Sequence, residues 1–198
     1  MEKLKAVVKK HFPTAEFRFI FLGAAELLAL ARRSPQVTYP LALAENPISS
    51  EGQVGFVCLV RLRDFYKFII DEEGSLRRQI FEANVRDYQG RTEVNDEIQK
   101  SLQETTAEDF WWLNNGVSII ASKASLGGKT LTIEDPQIVN GLQTSTEVYN
   151  YFKKSNTEKE DRKLLVRVVV PAEEESRDRI IKATNSQTGM PPVPLTPP

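Results

Sequence analysis

The stretch "PQIVNGLQTST", residues 136–146, changes character at its centre. Ile138-Val139 has the β-branched side chains typical of a strand, whereas "LQTSTEVYNYF", which begins at Leu142, has the apolar spacing of an amphipathic helix. Between them stands Asn140-Gly141, and glycine accepts the positive φ angles that a tight turn requires. The stretch therefore predicts a strand that turns directly into a helix.

The sequence on both sides predicts more strands and helices. Strands are expected at residues 54–60, 117–121, 130–133 and 164–170, and helices at residues 62–70, 93–104 and 172–185. The "SLGGK" run at residues 125–129 is typical of a hairpin turn, which would join the second and third of these strands. This order predicts an α/β or α+β fold, a mixed sheet with flanking helices. We expect an N-terminal α/β appendage (1–53), a core (54–190) and a proline-rich tail or truncation point (191–198).

Composition excludes several classes of protein. The 198 residues are 40% hydrophobic and 27% charged, and their net charge of −1 creates no global basic field for nucleic acid or membrane. Nucleic-acid contact would therefore need a local patch. The single cysteine, Cys58, lies in the apolar run "VGFVCLV" and is predicted to be a buried structural thiol. No signal peptide and no apolar run of about 20 residues is present, which predicts a cytoplasmic protein without a membrane partner.

Most catalytic residue sets are missing. The single histidine, His11, lies beside Phe12-Pro13 and is predicted to be a surface or capping residue, which argues against a standard Ser/His/Asp triad. One histidine also excludes a multi-histidine metal site, and no phosphate-binding or dinucleotide-binding glycine motif occurs. Acidic runs such as "EKED", residues 158–161, are predicted to be solvated faces. One acidic alternative stays open, in which Glu134 and Asp135 hold a divalent metal and converge with Lys163.

Three segments are rich in amide side chains: "FWWLNNGVSIIASK" (110–123), the stretch quoted first, and "ATNSQTG" (183–189). Each alone is explained by turns and helix caps. Together they predict a shared polar pocket, because buried amides need hydrogen-bond partners. A helix that begins after Gly141 presents backbone N–H groups to a phosphate, and the side chain of Gln143 can pair with a base edge. Trp111 and Trp112 are predicted to pack in the core, with stacking on a base as the alternative.

The motifs "FEANVRDYQG", "DFWWLNNGVSIIA", "DPQIVNGLQTST", "LLVRVVV" and "IIKATNSQT" occur in this order across residues 56–188. In this respect the chain resembles the abortive-infection phage-resistance (AIPR) family. The resemblance implies a bacterial phage-defence or restriction-associated protein. Because family members are usually much longer, it also implies that this chain is a fragment or a shortened member.

The order of a strand, a helix that opens at "VNGLQT", an apolar strand and a helix that ends in "TNSQ" is also similar to DGQHR-type domains, which are related to the ParB/sulfiredoxin-like fold. That likeness implies a turn that meets a nucleotide phosphate. Gln143-Thr144 stands where those proteins carry His-Arg, so the phosphate-binding cation is missing from the turn. Arg86 is the candidate to supply the charge, and an ion pair with Asp87 is its alternative role.

The resemblance implies a phage-defence core, and the amide-rich segments predict that it binds nucleic acid or a nucleotide through their shared pocket. The predicted ligand-binding residues are Arg86, Asn114, Asn115, Asn140, Gly141, Gln143, Thr144, Asn185 and Gln187. Two alternatives stay open: a metal-dependent nuclease or nucleotide hydrolase that uses Glu134 and Asp135, and a non-catalytic protein-interaction scaffold. No cofactor is required by the sequence, and a nucleotide, a divalent cation, a protein partner and a homo-oligomer all stay open.

Overall fold

The computed structural model describes residues 37–49, 54–84, 93–104, 108–154 and 160–185, together with Val8, Lys10 and Gly23. The chain divides into two compact units, Met1–Gln36 and Val37–Pro198, and the elements below belong to the second. Several predictions lie outside the described residues. They are most of the N-terminal appendage, the candidate residues Arg86 and Gln187, and the tail at 191–198.

The described strands of the second unit are Thr38–Ala42 (β1), Ile48–Ser49 (β2), Gly55–Arg61 (β3), Val117–Ile120 (β4), Lys123–Gly127 (β5), Thr130–Glu134 (β6), Gln137–Asn140 (β7) and Lys163–Val169 (β8). Its described α-helices are Leu62–Ile69 (α1), Glu93–Gln103 (α2), Leu142–Lys154 (α3) and Glu174–Asn185 (α4). Short 3-10 helices occupy Arg78–Asn84 and Phe110–Trp112. Among these helices, none is both long enough and apolar enough to cross a membrane.

The larger sheet has five strands in the order β2-β3-β8-β4-β7. Its central pair, β8 and β4, is parallel, and the other neighbours are antiparallel. The sheet is therefore mixed, and α1 contacts β3 and β8 while α4 contacts β7. The predicted α+β class with a mixed sheet and flanking helices is confirmed.

The smaller sheet is antiparallel, with the order β1-β6-β5. The predicted hairpin around "SLGGK" exists, but its first strand is β5 and not residues 117–121, so that expectation was wrong. Burial gives the physical reason. All four residues of β4 are buried, which suits a strand inside the larger sheet, whereas four of the five β5 residues are exposed, which suits an edge.

The buried core contains residues of both sheets and of the helices α1, α2 and α3. Phe65 of α1 and Val166 of β8 are both fully buried, as is Phe110 in the short helix before β4. Burial of one such phenylalanine side chain stabilises the fold by about 1.5–3 kcal/mol. Cys58 of β3 is also buried, which confirms the prediction for the thiol.

Arg162, just before β8, links distant parts of the core. Its guanidinium donates to the carbonyl oxygens of Ser101 (2.9 Å) and Leu102 (2.8 Å) at the end of α2, and to the Glu160 carboxylate (2.8 Å). The same carboxylate accepts a hydrogen bond from the Tyr151 hydroxyl of α3 at 3.0 Å. The prediction that the "EKED" run is a solvated face is therefore wrong for Glu160, because its side chain is only 10% exposed.

This network also lowers the pKa of the Glu160 carboxyl group. Burial alone would raise the pKa of Glu160, but hydrogen bonds and attraction from Arg162 outweigh burial and hold that pKa below its ordinary value. The guanidinium also lies at the C-terminus of α2, where the helix dipole favours a positive charge. The network therefore stabilises the contact between α2, α3 and the start of β8.

Candidate functional site

The amide-rich segments meet at one end of the larger sheet. Asn140 ends β7 and pairs with Ser118 of β4, so the turn into α3 lies beside the first residues of β4. The segment Asn114–Gly116 leads directly into β4. We call this place the amide edge and define it by Asn114–Gly116, Asn140–Thr144 and Thr184.

Asn114 joins the first amide segment to the second. Its side-chain oxygen accepts a hydrogen bond from the backbone N–H of Gly116 at 2.9 Å, which is an Asx turn. The same oxygen accepts a hydrogen bond from the Thr144 hydroxyl at 3.2 Å. Thr144 is buried, so this contact satisfies a polar group that would otherwise be costly to bury.

Asn140 joins the second segment to the third. Its side-chain amide donates to the backbone carbonyl of Thr184 at 2.5 Å, and Thr184 lies one residue before the end of α4. Asn185 is the last residue of that helix. The structure therefore brings together Asn114, Thr144 and Asn140 with the end of α4.

Two glycines allow these segments to approach each other. Gly116 has a φ of +80°, and a Cβ at this position would lie 2.3 Å from the Leu165 carbonyl oxygen. Gly141 has a φ of +92°, and its Cβ would lie 2.8 Å from the Gly116 carbonyl oxygen and 2.8 Å from Val117 Cγ2. The space beside Gly141 is thus filled by the backbone of Gly116 and Val117 and by the Val117 side chain. This packing requires glycine there whether or not a ligand approaches.

The hydroxyl groups at the start of α3 donate to protein acceptors. Ser145 and Thr146 each donate to the carbonyl four residues earlier, at 2.8 Å and 2.9 Å, and Thr144 donates to Asn114. Of these three residues, Thr144 is one of the predicted ligand-binding residues. Their hydrogen bonds instead stabilise the first turn of α3 and its contact with Asn114.

A different set of side chains is exposed beside the amide edge. Trp112 is 70% exposed, so the prediction that it packs in the core was wrong, and Leu113 and Asn115 are exposed as well. The rings of Trp111 and Trp112 lie 4.4 Å apart at an angle of 34°. Arg167 of β8 is exposed and donates to the Asn115 carbonyl at 3.0 Å.

Sequence reasoning missed Arg167. The signal was present, because it is the one charged residue inside the strand "LLVRVVV", and a charge at that position marks a solvent-facing side. What the sequence did not show is that this face of β8 lies next to the first amide segment.

The amide segments lie within residues 81–192, and this range matches the sequence model of the AIPR protein family. The match covers more than half of the chain. The chain belongs to the AIPR protein family. The family resemblance read from the motifs is confirmed, and the matched range runs from Phe81 to Pro192. No match was found among curated proteins or among solved structures, so the ParB/sulfiredoxin-like core stays a prediction.

The structure argues against part of the alternative in which Glu134 and Asp135 hold a divalent metal and converge with Lys163. Glu134 forms an ion pair with Lys123 at 3.3 Å, and Asp135 accepts a hydrogen bond from the Ser122 hydroxyl at 2.9 Å. Lys163 does not converge with them, because it starts β8 while the turn near Asp135 lies at the other end of that strand, about 20 Å away. Among the described residues, no group of three or more His, Cys, Asp or Glu side chains could hold a metal ion.

The described part of the chain has a cleft of about 630 Å³, but this cleft lies at the opposite end of β4 from the amide edge. It is lined by the end of β4, the segments that follow β4, β6 and β8, the start of β7 and the start of α4. Its charged lining residues are Asp135, Glu173, Glu174 and Arg177. None of the predicted ligand-binding residues lines it. The cleft carries mostly carboxylates, whereas aromatic, amide and guanidinium groups are exposed in and beside the amide edge, so we take the amide edge as the candidate site.

Proposed function

We propose that this AIPR chain acts in phage defence by binding nucleic acid or a nucleotide at the amide edge. The observation that carries the proposal is that side-chain hydrogen bonds hold three amide-rich segments together where Trp112, Asn115 and Arg167 are exposed. An aromatic ring, an amide and a guanidinium are the groups with which proteins stack on bases, pair with base edges and contact phosphates. Family membership supports the role in phage defence.

In this proposal the side chains of the edge divide into two groups. Asn114 and Asn140 bond to other protein groups, so their contribution is to position the segments. Gln143 and Asn115 are the amides proposed to contact a base. The roles predicted from the sequence are kept for three further residues. The amides of Asn185 and Gln187 complete the pocket, and Arg86 supplies a positive charge for the phosphate.

A thermal-shift screen of the full chain tests the proposal. Mononucleotides, single-stranded oligonucleotides and duplexes are added separately, and a ligand that binds only the folded protein raises its melting temperature. Gln143→Ala should weaken binding by about 1–3 kcal/mol if the amide pairs with a base edge. Gln103→Ala, at an exposed position near the end of α2, is the matched control and should bind as the wild type does. Absence of stabilisation by every nucleic-acid ligand and every nucleotide would refute the proposal.

A non-catalytic protein-interaction scaffold is the second candidate. Trp112 and Leu113 are adjacent, apolar and 70% and 48% exposed, and exposed apolar surface of this kind also occurs at protein interfaces. A scaffold would use the hydrogen bonds of Asn114 and Asn140 only to brace the fold. Folded wild-type protein that binds no nucleic acid or nucleotide would select this reading, whereas metal-dependent cleavage of DNA or RNA would select the enzyme.

A further inference from the structure

We propose that the amide edge binds single-stranded nucleic acid in preference to duplex, with Trp112 as a stacking platform for one unpaired base. This inference rests on the proposed function and adds the class of ligand. The argument uses the exposure of Trp112, the anchoring of its segment, and the position of Arg167.

Trp112 is held in an outward position by its neighbours. Phe110, two residues earlier, is 1% exposed and anchors the segment in the core. The Asp109 carboxylate accepts a hydrogen bond from the Lys163 backbone N–H at 2.8 Å, which ties the segment to the start of β8. The Trp111 ring lies against the Trp112 ring. The remaining surface of the Trp112 indole is therefore presented to solvent by a backbone that is already ordered.

An exposed indole favours a single strand. A base can stack on a protein ring only when it has left the stack of its own helix, and a base in a duplex would have to be unstacked first. Stacking does not depend on base identity, since every base has a π face. The expected ligand is therefore an unpaired segment with little sequence preference.

Arg167 lies within reach of the next nucleotide. Its guanidinium is attached to the Asn115 carbonyl, and Asn115 follows Trp112 by three residues, so their Cα atoms are at most about 11 Å apart. The guanidinium has five N–H donors and uses one in this bond, which leaves donors for a phosphate or a base. No carboxylate among the described residues forms an ion pair with Arg167.

Charge also argues against a duplex. The segment Phe110–Gly116 contains no lysine or arginine, and the net charge of the chain is −1. Duplex binders depend on many phosphate contacts, and each contact makes binding more sensitive to salt. Each phosphate contact adds about −0.7 to the slope of log K against log salt for a single strand, so Arg167 should contribute about −0.7.

The test uses the full chain and labelled DNA of about twelve nucleotides, which suits the usual size of such sites. Fluorescence anisotropy measures binding of the single strand, of the same sequence as RNA and of the corresponding duplex. Trp112→Ala should weaken single-strand binding about 5- to 140-fold, and Trp112→Phe, which keeps a ring, should retain most of it. Leu126→Ala, at an exposed apolar position in β5, is the control and should leave binding unchanged.

Fluorescence of the protein gives a second readout that loss of structure would not reproduce. Both tryptophans of the chain are in this segment, so stacking of a base should quench the intrinsic emission of the wild type, and more strongly than that of Trp112→Phe. Binding and emission are compared only among variants whose melting temperatures equal that of the wild type.

Each outcome decides between the two proposals. Tighter binding of the single strand, lost in Trp112→Ala and retained in Trp112→Phe, supports the inference. Equal or tighter binding of the duplex, or unchanged single-strand binding by Trp112→Ala, overturns the inference but leaves the proposed function in place. Absence of binding to every strand, duplex and mononucleotide overturns both.

Discussion

Glycine-to-alanine substitutions can separate the cost of backbone conformation from the cost of packing at the amide edge. Gly116 and Gly128 both have positive φ angles, +80° and +61°, but only Gly116 has neighbours where a Cβ would be placed. Gly128→Ala should therefore cost only the left-handed conformation, about 1–2 kcal/mol of the free energy of unfolding. Gly127→Ala, with ordinary φ and open space, should cost nothing or stabilise the strand slightly.

Gly116→Ala should cost more than either control. Its Cβ would lie 2.3 Å from the Leu165 carbonyl oxygen, and that atom belongs to β8 at the centre of the sheet, where it has little freedom to move. Overpacking of this kind costs about 1–3 kcal/mol, in addition to the φ cost, so the total is about 2–5 kcal/mol. Gly141→Ala, whose Cβ would lie 2.8 Å from the Gly116 carbonyl oxygen, should fall between Gly128→Ala and Gly116→Ala.

Urea unfolding followed by circular dichroism measures these free energies on the same protein background. The decisive quantity is the difference between Gly116→Ala and Gly128→Ala, expected at about 1–3 kcal/mol. Equal losses at the two positions would refute the packing argument.

Three further predictions concern the core. Arg162→Ala should lower the free energy of unfolding by about 2–4 kcal/mol, because it leaves the partly buried Glu160 carboxylate without its positively charged partner. An unchanged midpoint of urea unfolding would contradict this. Because the pKa of Glu160 is lowered in the folded state, the stability that its carboxylate contributes is fully present above the ordinary pKa of 4.5 and is lost as the pH falls through the folded pKa. In thermal melts from pH 7 to pH 3, the melting temperature of Glu160→Gln should therefore fall less steeply than that of the wild type. Parallel curves would contradict this. Burial raises the pKa of the Cys58 thiol to about 11, so a thiol reagent at pH 8 should label native protein far more slowly than urea-unfolded protein, and rapid native labelling would contradict the assignment.

Local sequence determined a large part of this fold. The strand, turn and helix of residues 136–146 appear as β7, Gly141 and α3, because the change from β-branched residues to helical spacing is a property of neighbouring residues. The burial of Cys58 and the strand β8 followed from the same kind of apolar pattern. The family assignment also came from the order of short motifs, and it did not require the structure.

Contacts between distant residues were decided only by the tertiary structure. The alternation of side chains shows which face of a strand is buried but does not name the neighbouring strand, so β4 was assigned to the wrong hairpin. Trp112 is exposed because Phe110 occupies the core position of that segment, and adjacent aromatic residues give no signal of which one will be buried. Glu160 looked solvated because its partners on α2 and α3 lie far away in the sequence, and its charge is stabilised only when folding brings Arg162 and Tyr151 to it.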